Sequence, residues 1–322
     1  MGWEIDIDQH TLNRYNQVNG DFGNKLKKNI CDGHFALCPG DRCPFLNPQN
    51  LCEIYQHLGE EALCQICAEH PRFVEVYGDI MEKGVGLCCE EAVKLVLENE
   101  PRWITTEIDE EPDEINDEIR AARDAILEER EQLFSILAMR NLPLRERLLK
   151  LLNFVEETQG AAPMEQEEIP KDKLLWEWVK VLGEGESYGP AWTNAFNRIV
   201  KKTALEKKIE QQNTCREKLF TDTDGERIIS YLLFRYYGKC LFDGDNLSKI
   251  QFVLFFWITL QNFAYELAET ISATPTEKAS AKINAIKLLS KQVEYSEAYM
   301  ELLNHHFFED DAFSLKNIGK LL

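Results

Sequence analysis

Apolar residues recur every three or four positions through most of the chain beyond residue 115. This spacing puts them on one face of an α-helix, and it predicts helices over 115–139 and from Pro143 onward, where proline suits the first helical position. Similar series predict helices over 174–181, 191–211, 226–237, 247–268 and 276–308. Between them the sequence lacks the repeated strand-like alternation that a parallel sheet requires. The pattern therefore predicts an all-helical region.

The first hundred residues follow a different pattern. Short helices are predicted over 8–19, 51–57, 60–69 and 90–98, between glycine and proline turns. So little continuous apolar sequence predicts a segment that depends on a bound metal for stability. The predicted fold class is mainly α: a small, irregular, cysteine-rich metal or cluster domain over 1–106, an acidic linker over 107–118 and an all-helical domain over 119–322.

The charge balance narrows the range of partners. The chain has 36 Lys and Arg against 56 Asp and Glu, a formal net charge of −20. Such acidity repels phosphate backbones, so we expect no nucleic-acid partner. The N-terminus lacks the basic and apolar stretches of a secretory signal, and the longest apolar run, 252–260, is too short to span a bilayer. We therefore expect a cytoplasmic protein without a membrane partner.

Cysteine is concentrated near the N-terminus. Eight of the ten cysteines precede residue 90. Because the cytoplasm keeps thiols reduced, a dense cluster there indicates metal or redox chemistry rather than disulfides. Cys64 and Cys67 form a C-x-x-C pair, whose spacing lets two thiolates reach one ion or cluster edge. The predicted metal ligands are Cys43, Cys52, Cys64, Cys67 and Cys89.

The spacing leaves the metal open between zinc and an iron–sulfur cluster. Structural zinc usually has two close cysteine pairs, and this chain has one, so distant ligands around a cluster fit slightly better. His34, His57 and His70 are candidates to complete a zinc site, although surface or supporting roles suit them better. Cys215 and Cys240 lie in the helical region and are expected to be buried core residues.

Several cysteine-bearing stretches match one known family. They are Arg42-Cys43-Pro44-Phe45-Leu46, Leu51-Cys52-Glu53-Ile54, Leu63-Cys64-Gln65-Ile66-Cys67, His70-Pro71-Arg72 and Cys88-Cys89-Glu90-Glu91-Ala92. They resemble the cysteine block of the flagellin lysine-N-methylase family. Supporting similarity extends to Tyr231-Leu232-Leu233, Asp243-Gly244-Asp245 and Tyr295-Ser296. The chain departs from the family at His70 and Glu90, where the family has Tyr and Pro.

The resemblance implies an enzyme that methylates flagellin lysines with S-adenosylmethionine. It also implies a zinc- or iron-chelating cysteine centre, for which a 4Fe–4S cluster is the first expectation and zinc the alternative. The competing hypothesis is a non-catalytic zinc- or iron-chelating adaptor. No residue pattern in the sequence marks a catalytic base, so the catalytic residues are unknown at this point.

The cofactor site is less defined by the sequence than the metal ligands are. Arg72 is the cofactor-binding candidate, because a guanidinium can hold a carboxylate with two hydrogen bonds; a surface salt bridge is the alternative. The glycine-rich stretch Gly183-Glu184-Gly185 follows a predicted helix and is interpreted as a helix end rather than a phosphate-binding turn. The aromatic run 252–257 is expected to be helical core rather than a cage for lysine. One hypothesis is that a cluster iron chelates the amino-carboxylate of S-adenosylmethionine.

Overall fold

The computed structural model describes residues 5–39, 42–106, 115–159, 169–206, 219–269 and 274–322. The fold is mainly α, as predicted, and the strands among these residues form two small two-stranded sheets. The chain forms two compact units: Met1–Phe73 with Ser187–Thr193, and Val74–Glu186 with Asn194–Leu322. The domain boundary at residue 106 stays a prediction. Residues 107–114 of the predicted acidic linker and Cys215 lie outside the described residues.

The first unit, here called the cysteine-rich unit, is built from short elements around a small core. They are α1 Gln9–Gln17, α2 Gly20–Lys28, β1 Ile30–Cys31, β2 His34–Phe35, α3 Glu53–Leu58 and α4 Gln65–Glu69. The antiparallel strands β1 and β2 pair Ile30 with Phe35. Tyr15, Phe35, Phe45 and Ile54 are buried in the core that these elements enclose. Elements this short depend on tertiary packing for their stability.

A β-hairpin that was not predicted follows the cysteine-rich stretches. Its strands are β3 Arg72–Tyr77 and β4 Ile80–Val85, and they pair with each other. The connection contains Gly78 with a φ of 73°, a conformation that glycine adopts at no steric cost. Side chains along β3 alternate between more and less exposed positions, as expected of a strand with one packed face.

The second unit, here called the helical unit, contains most of the remaining helices. After the hairpin the chain forms α5 Glu90–Glu98, α6 Asp117–Leu137, α7 Leu144–Gln159, α8 Lys171–Glu184, α9 Pro190–Glu206, α10 Asp222–Tyr236, α11 Cys240–Asp243, α12 Asn246–Ala268, α13 Pro275–Val293, α14 Glu297–Glu309 and α15 Leu315–Leu321. Helix α12 packs against α7, α10, α13, α14 and α15 and is buried along nearly its whole length. Its apolar side chains on all faces explain this central position.

The aromatic run in α12 is core, as predicted. Phe252, Phe255, Phe256 and Trp257 are all buried. Although α12 is strongly apolar, none of the helices in the described parts of the chain is both long and apolar enough to cross a membrane.

The predicted helix over 276–308 is instead two helices, α13 and α14. The chain leaves helical geometry after Glu294, and the Ser296 hydroxyl caps α14 by accepting a hydrogen bond from the Tyr299 backbone N–H at 3.1 Å. Serine is a preferred residue for this capping position because its hydroxyl satisfies an otherwise unpaired N–H. The break places Glu294 and Tyr295 between the two helices.

Candidate functional site

Four of the five predicted metal ligands belong to the cysteine-rich unit and pack on one core. Cys64 is fully buried, and Cys43, Cys52 and Cys67 are partly buried against the same cluster of apolar side chains. The Tyr15 hydroxyl donates a 2.7 Å hydrogen bond to the Ala62 carbonyl, just before Cys64. The core therefore brings together cysteines that are separated by up to 24 positions in sequence, from Cys43 to Cys67.

Asp8 fixes the start of the helix that carries Cys67. Its carboxylate accepts hydrogen bonds from the backbone N–H of Thr11 at 2.8 Å and of Gln65 at 3.1 Å. Thr11 lies in the first turn of α1 and Gln65 is the first residue of α4, so one side chain serves two helix N-termini. These hydrogen bonds, with Thr11 contributing most, lower the pKa of Asp8 to about 2.

The thiols of the C-x-x-C pair interact directly. The Cys67 thiol donates a hydrogen bond to Cys64, which lowers the pKa of Cys64 to about 7 despite its burial. The same hydrogen bond, with burial and the nearby Cys64, Cys43 and Cys52, raises the pKa of Cys67. Burial, followed by proximity to Cys52, raises the pKa of Cys43. A thiolate is thus accessible at neutral pH within a group of four sulfurs, and thiolate is the form that binds metals.

The donor set fits a thiolate-held metal centre in its chemistry. Its arrangement is looser than a coordination sphere: within the described ranges, no three Cys, His, Asp or Glu side chains are grouped closely enough to hold an ion. Ligation of one ion by these four cysteines would therefore require their sulfurs to move closer together. Cys89 precedes α5 in the helical unit, and its role as a ligand stays a prediction.

The histidine candidates of the cysteine-rich unit have other contacts. The His57 ring stacks on Phe22 with centroids 4.4 Å apart, and His34 lies beside the Asp6 carboxylate. Burial lowers the pKa of His70, which favours its neutral form. Their supporting roles at a metal centre stay a prediction.

Arg72 and the glycine-rich stretch over 183–185 are the two places that the sequence offered for cofactor binding. Arg72 is exposed, and its guanidinium donates a hydrogen bond to the Ala68 carbonyl. Gly185 follows the last residue of α8, which confirms that the glycine-rich stretch over 183–185 is a helix end. Arg72 thus stays a prediction as a cofactor ligand.

Two further cysteines, Cys88 and Cys240, are buried in the helical unit, whereas Cys31 and Cys38 of the cysteine-rich unit are exposed. Burial raises the pKa of Cys240 to about 12, in agreement with its predicted place in the core. Burial likewise raises the pKa of Cys88 to about 11, partly offset by a hydrogen bond with Tyr295. Both thiols are therefore protonated at neutral pH.

A buried polar cluster in the helical unit was not predicted from the sequence. Glu294 Oε2 accepts hydrogen bonds from Arg235 at 2.9 Å, Tyr236 at 3.1 Å and Tyr231 at 3.3 Å. Arg235 also lies 4.9 Å from the centroid of the Tyr295 ring. Burial raises the pKa of Tyr231 and Tyr236 well above the ordinary value, so both hydroxyls stay protonated as donors. The cluster is therefore a fixed, charge-assisted network.

This cluster forms part of the wall of a cavity of about 570 Å³. Besides Arg235, Tyr236, Glu294 and Tyr295, the lining includes Lys239, Asp243, Lys249, Phe252, Glu297, Met300 and Glu301. A volume in this range is typical of small-ligand sites. Tyr231, Asp243 and Tyr295, which belong to stretches that carry the family resemblance, all lie in or beside the cluster and cavity.

The fold and these two sites define a mainly helical protein with a thiol-rich unit and a helical unit that holds a polar cavity. The chain is 28% identical over 110 residues to the lysine-N-methylase of Salmonella typhimurium strain LT2, which covers 31% of this chain and 27% of that protein. The lysine-N-methylase of Salmonella choleraesuis matches equally. The flagellar biosynthetic protein FliU of Salmonella muenchen is 28% identical over 110 residues, 31% of this chain and 64% of FliU.

These matches establish a distant relationship to the lysine-N-methylases, in agreement with the resemblance of the cysteine block. The matched part spans less than two thirds of each relative's length. No family model matches the chain, and no solved structure matches it.

Proposed function

We propose that the chain is a protein-lysine N-methyltransferase that transfers methyl groups from S-adenosylmethionine to flagellin lysines in the cytoplasm. The observation that carries this proposal is the similarity to proteins named lysine-N-methylase and FliU. The four thiols that pack on one core support its dependence on a cysteine-bound centre, because thiolate sulfur is a ligand that iron and zinc both prefer. The suggested chemistry is methylation of an amine nitrogen by a sulfonium donor.

Cys43, Cys52, Cys64 and Cys67 would hold the centre, with Cys89 as a fifth candidate. An iron–sulfur cluster, with 4Fe–4S as the first choice, is proposed over zinc. A bound iron would supply a coordination position for the amino-carboxylate of S-adenosylmethionine. Arg72 is the proposed cation for that carboxylate. The lowered pKa of Cys64 supports ligation by this set, since less work is needed to deprotonate it at neutral pH.

The proposal is tested by incubating the anaerobically purified chain with unmodified flagellin and S-adenosylmethionine that carries an isotopic label in its methyl group. We expect mass spectrometry to find labelled methyl groups on flagellin lysines. The double variant Cys64→Ser with Cys67→Ser is expected to lose this activity, because it removes two thiolate ligands. The exposed Cys31, in the same unit but outside the predicted ligand set, gives the matched control Cys31→Ser, which is expected to retain activity.

Unlabelled flagellin after incubation with metal-loaded protein would refute the methyltransferase proposal. If that protein binds iron or zinc stoichiometrically, the result favours the chelating adaptor instead. Full activity in the double variant would leave methyl transfer standing and refute its dependence on the cysteine centre.

A further inference from the structure

The hydrogen bonds around Cys64 give helix α1 a role beyond packing: we propose that α1 positions the C-x-x-C pair for metal binding. The positioning residues are Asp8, at the N-terminal cap of the helix, and Arg14 and Tyr15 within it. This inference rests on the proposed function, because it takes Cys64 and Cys67 as ligands of the metal centre. It adds the residues that determine how tightly the centre binds metal, although none of them is a ligand.

Two of these side chains hold the backbone just before Cys64. The Tyr15 hydroxyl donates a 2.7 Å hydrogen bond to the Ala62 carbonyl, and the Arg14 guanidinium donates one to the Glu61 carbonyl. Each bond joins residues 47 positions apart, so neither follows from local helix structure. Tyr15 and Ala62 are both buried, and a buried carbonyl that loses its donor is unfavourable. The chain just before Cys64 is therefore held firmly to α1.

Asp8 holds the backbone just after Cys64. One of its carboxylate oxygens accepts a hydrogen bond from the Gln65 N–H at 3.1 Å, and the other accepts from the Thr11 N–H at 2.8 Å. The bond from Thr11 ties the carboxylate to the first turn of α1, which fixes the direction of the bond from Gln65. Together with the two carbonyl contacts, Asp8 restrains the backbone on both sides of Cys64. Three side chains of one helix and its cap thus converge on residues 61–65.

Tyr15 also lies among the proposed ligand sulfurs. Burial raises the pKa of its phenol, and the nearby Cys64, Cys67 and Cys52 raise it further, in that order. The ring packs in the same core, with its centroid 6.3 Å from that of Phe35. One residue of α1 therefore holds the backbone that carries Cys64 and lies close to three of the four sulfurs.

This arrangement lowers the cost of assembling a metal centre. Among the described residues, the four sulfurs are not grouped closely enough to hold one ion, so binding has to order them further. A group that is already held in place loses less conformational freedom when it binds. Because α1 restrains the C-x-x-C pair, half of the ligand set is ordered in advance. Loss of a residue that orients a ligand typically weakens metal binding by about 10- to 100-fold.

The test titrates the full chain, freed of metal and kept anaerobic, with Co²⁺, whose thiolate complexes absorb strongly in the near ultraviolet. Competition with a chromophoric chelator gives the affinity of the same thiols for Zn²⁺. Tyr15→Phe keeps the buried ring and removes only the hydroxyl that holds Ala62, and we expect it to weaken binding of both ions by about tenfold. Tyr55→Phe removes the hydroxyl of an exposed tyrosine in the same unit. It is the matched control and should bind as the wild type does.

Asp8 gives a second series of variants, which keeps the test decisive if Tyr15→Phe unfolds. Asp8→Ala removes the acceptor for the Gln65 N–H and is also expected to weaken metal binding by about tenfold. Asp8→Asn keeps a carbonyl oxygen in that place, so this conservative variant should recover part of the affinity that Asp8→Ala loses.

Two measurements separate positioning from a general loss of stability. Affinities are compared only among variants whose metal-free form has the circular dichroism of the wild type. In these metal-free proteins, modification of Cys64 by an alkylating reagent is followed by peptide mass spectrometry. Cys64 is fully buried in the wild type, so we expect Tyr15→Phe and Asp8→Ala to speed its modification several-fold. Modification of Cys240, which is buried in the helical unit, should stay at the wild-type rate.

The outcomes separate this inference from the proposed function. If the wild type binds Co²⁺ and both Tyr15→Phe and Asp8→Ala bind it as tightly, α1 does not position the pair, while the cysteine centre stands. If these variants bind more weakly but flagellin is never methylated, the positioning role stands and the methyltransferase proposal fails. A wild type that binds neither Co²⁺ nor Zn²⁺ would overturn the positioning role together with the cysteine centre.

Discussion

Asp8 shows how a single residue organises the cysteine-rich unit. By accepting from the N–H groups of Thr11 and Gln65, it joins two helix starts that are 54 positions apart, from residue 11 to residue 65. The sequence pattern predicts a helix near Asp8, and an acid at a helix start is a familiar signal. The second contact has no local signal, because Gln65 comes close to Asp8 only in the folded unit.

Replacement of Asp8 by asparagine is expected to make the stability of the chain less sensitive to acid. The folded-state pKa of Asp8 is lowered from 3.8 to about 2. The contribution of the Asp8 carboxylate to the free energy of unfolding is therefore fully present above about pH 4 and is lost as the pH falls through about 2. Urea denaturation at a series of pH values measures the free energy of unfolding of both proteins. The amount by which the wild type exceeds Asp8→Asn should shrink as the pH falls from about 4 to about 2. The exposed Asp21→Asn is the control, and a difference that does not vary with pH would contradict the prediction.

At the level of elements, the long helices were predictable and the connections between them were not. Helix α12 is apolar on all faces, and its aromatic run 252–257 was correctly predicted to be helical core. The break between α13 and α14 was missed because the apolar spacing continues through it. Ser296, followed by the acid Glu297, is the local signal that marks it. Likewise, Gly78-Asp79 between the strand-favouring residues Tyr77 and Ile80 was the available signal for the β3–β4 hairpin.

Gly86, between β4 and α5, is expected to tolerate no side chain. A Cβ at this position would lie 1.5 Å from the Tyr295 hydroxyl oxygen, so Gly86→Ala must displace the ring from the polar cluster. We expect a loss of about 1–3 kcal/mol in the free energy of unfolding, as in other overpacked cores. Chemical denaturation measures it, and adding Tyr295→Phe should recover part of the loss.

Gly319→Ala is the matched control for this substitution. Its Cβ would meet the nearest side-chain atom at 3.4 Å, an ordinary contact, and alanine favours a helix over glycine. This variant should be as stable as the wild type or more so. Equal stability of the two alanine variants would show that the Tyr295 hydroxyl does not lie this close to Gly86.

For the whole molecule, the two candidate sites differ in how far the sequence could predict them. The cysteines were found because thiols are rare and their density near one terminus is unusual. The Arg235–Glu294 pair joins residues 59 positions apart, each of an ordinary type in a helical sequence. Burial is what makes that pair exceptional, and burial depends on the packing of several helices. The pattern of a single sequence does not show which distant residues come into contact in the fold.

The acidity of the molecule agrees with a basic partner. The net charge of −20 favours association with lysine-bearing surfaces and disfavours phosphate backbones. Because this attraction acts through solvent, it weakens as salt shortens the range of electrostatic forces. On the proposed function, it would influence how fast a lysine-bearing substrate arrives.

Metal removal should affect one unit and leave the other folded. The cysteine-rich unit has a small core, whereas α12 gives the helical unit a large one. We therefore expect the anaerobically purified chain to contain iron and to absorb visible light, and chelation to expose the cysteine-rich unit to proteolysis first. A colourless protein with stoichiometric zinc would assign the same thiols to zinc.

Two cysteine variants test whether the metal is held by Cys43, Cys52, Cys64 and Cys67 in particular. Cys64→Ser with Cys67→Ser should lose most of the metal and show early proteolysis of the cysteine-rich unit without any chelator. Cys240→Ala, which removes a buried thiol from the helical unit, should keep its metal content. Because the core of the cysteine-rich unit includes Cys64 itself, loss of metal and loss of packing would coincide there. If instead the wild type binds neither iron nor zinc and resists proteolysis equally well, the gathered thiols are core residues, and the proposed centre must be abandoned.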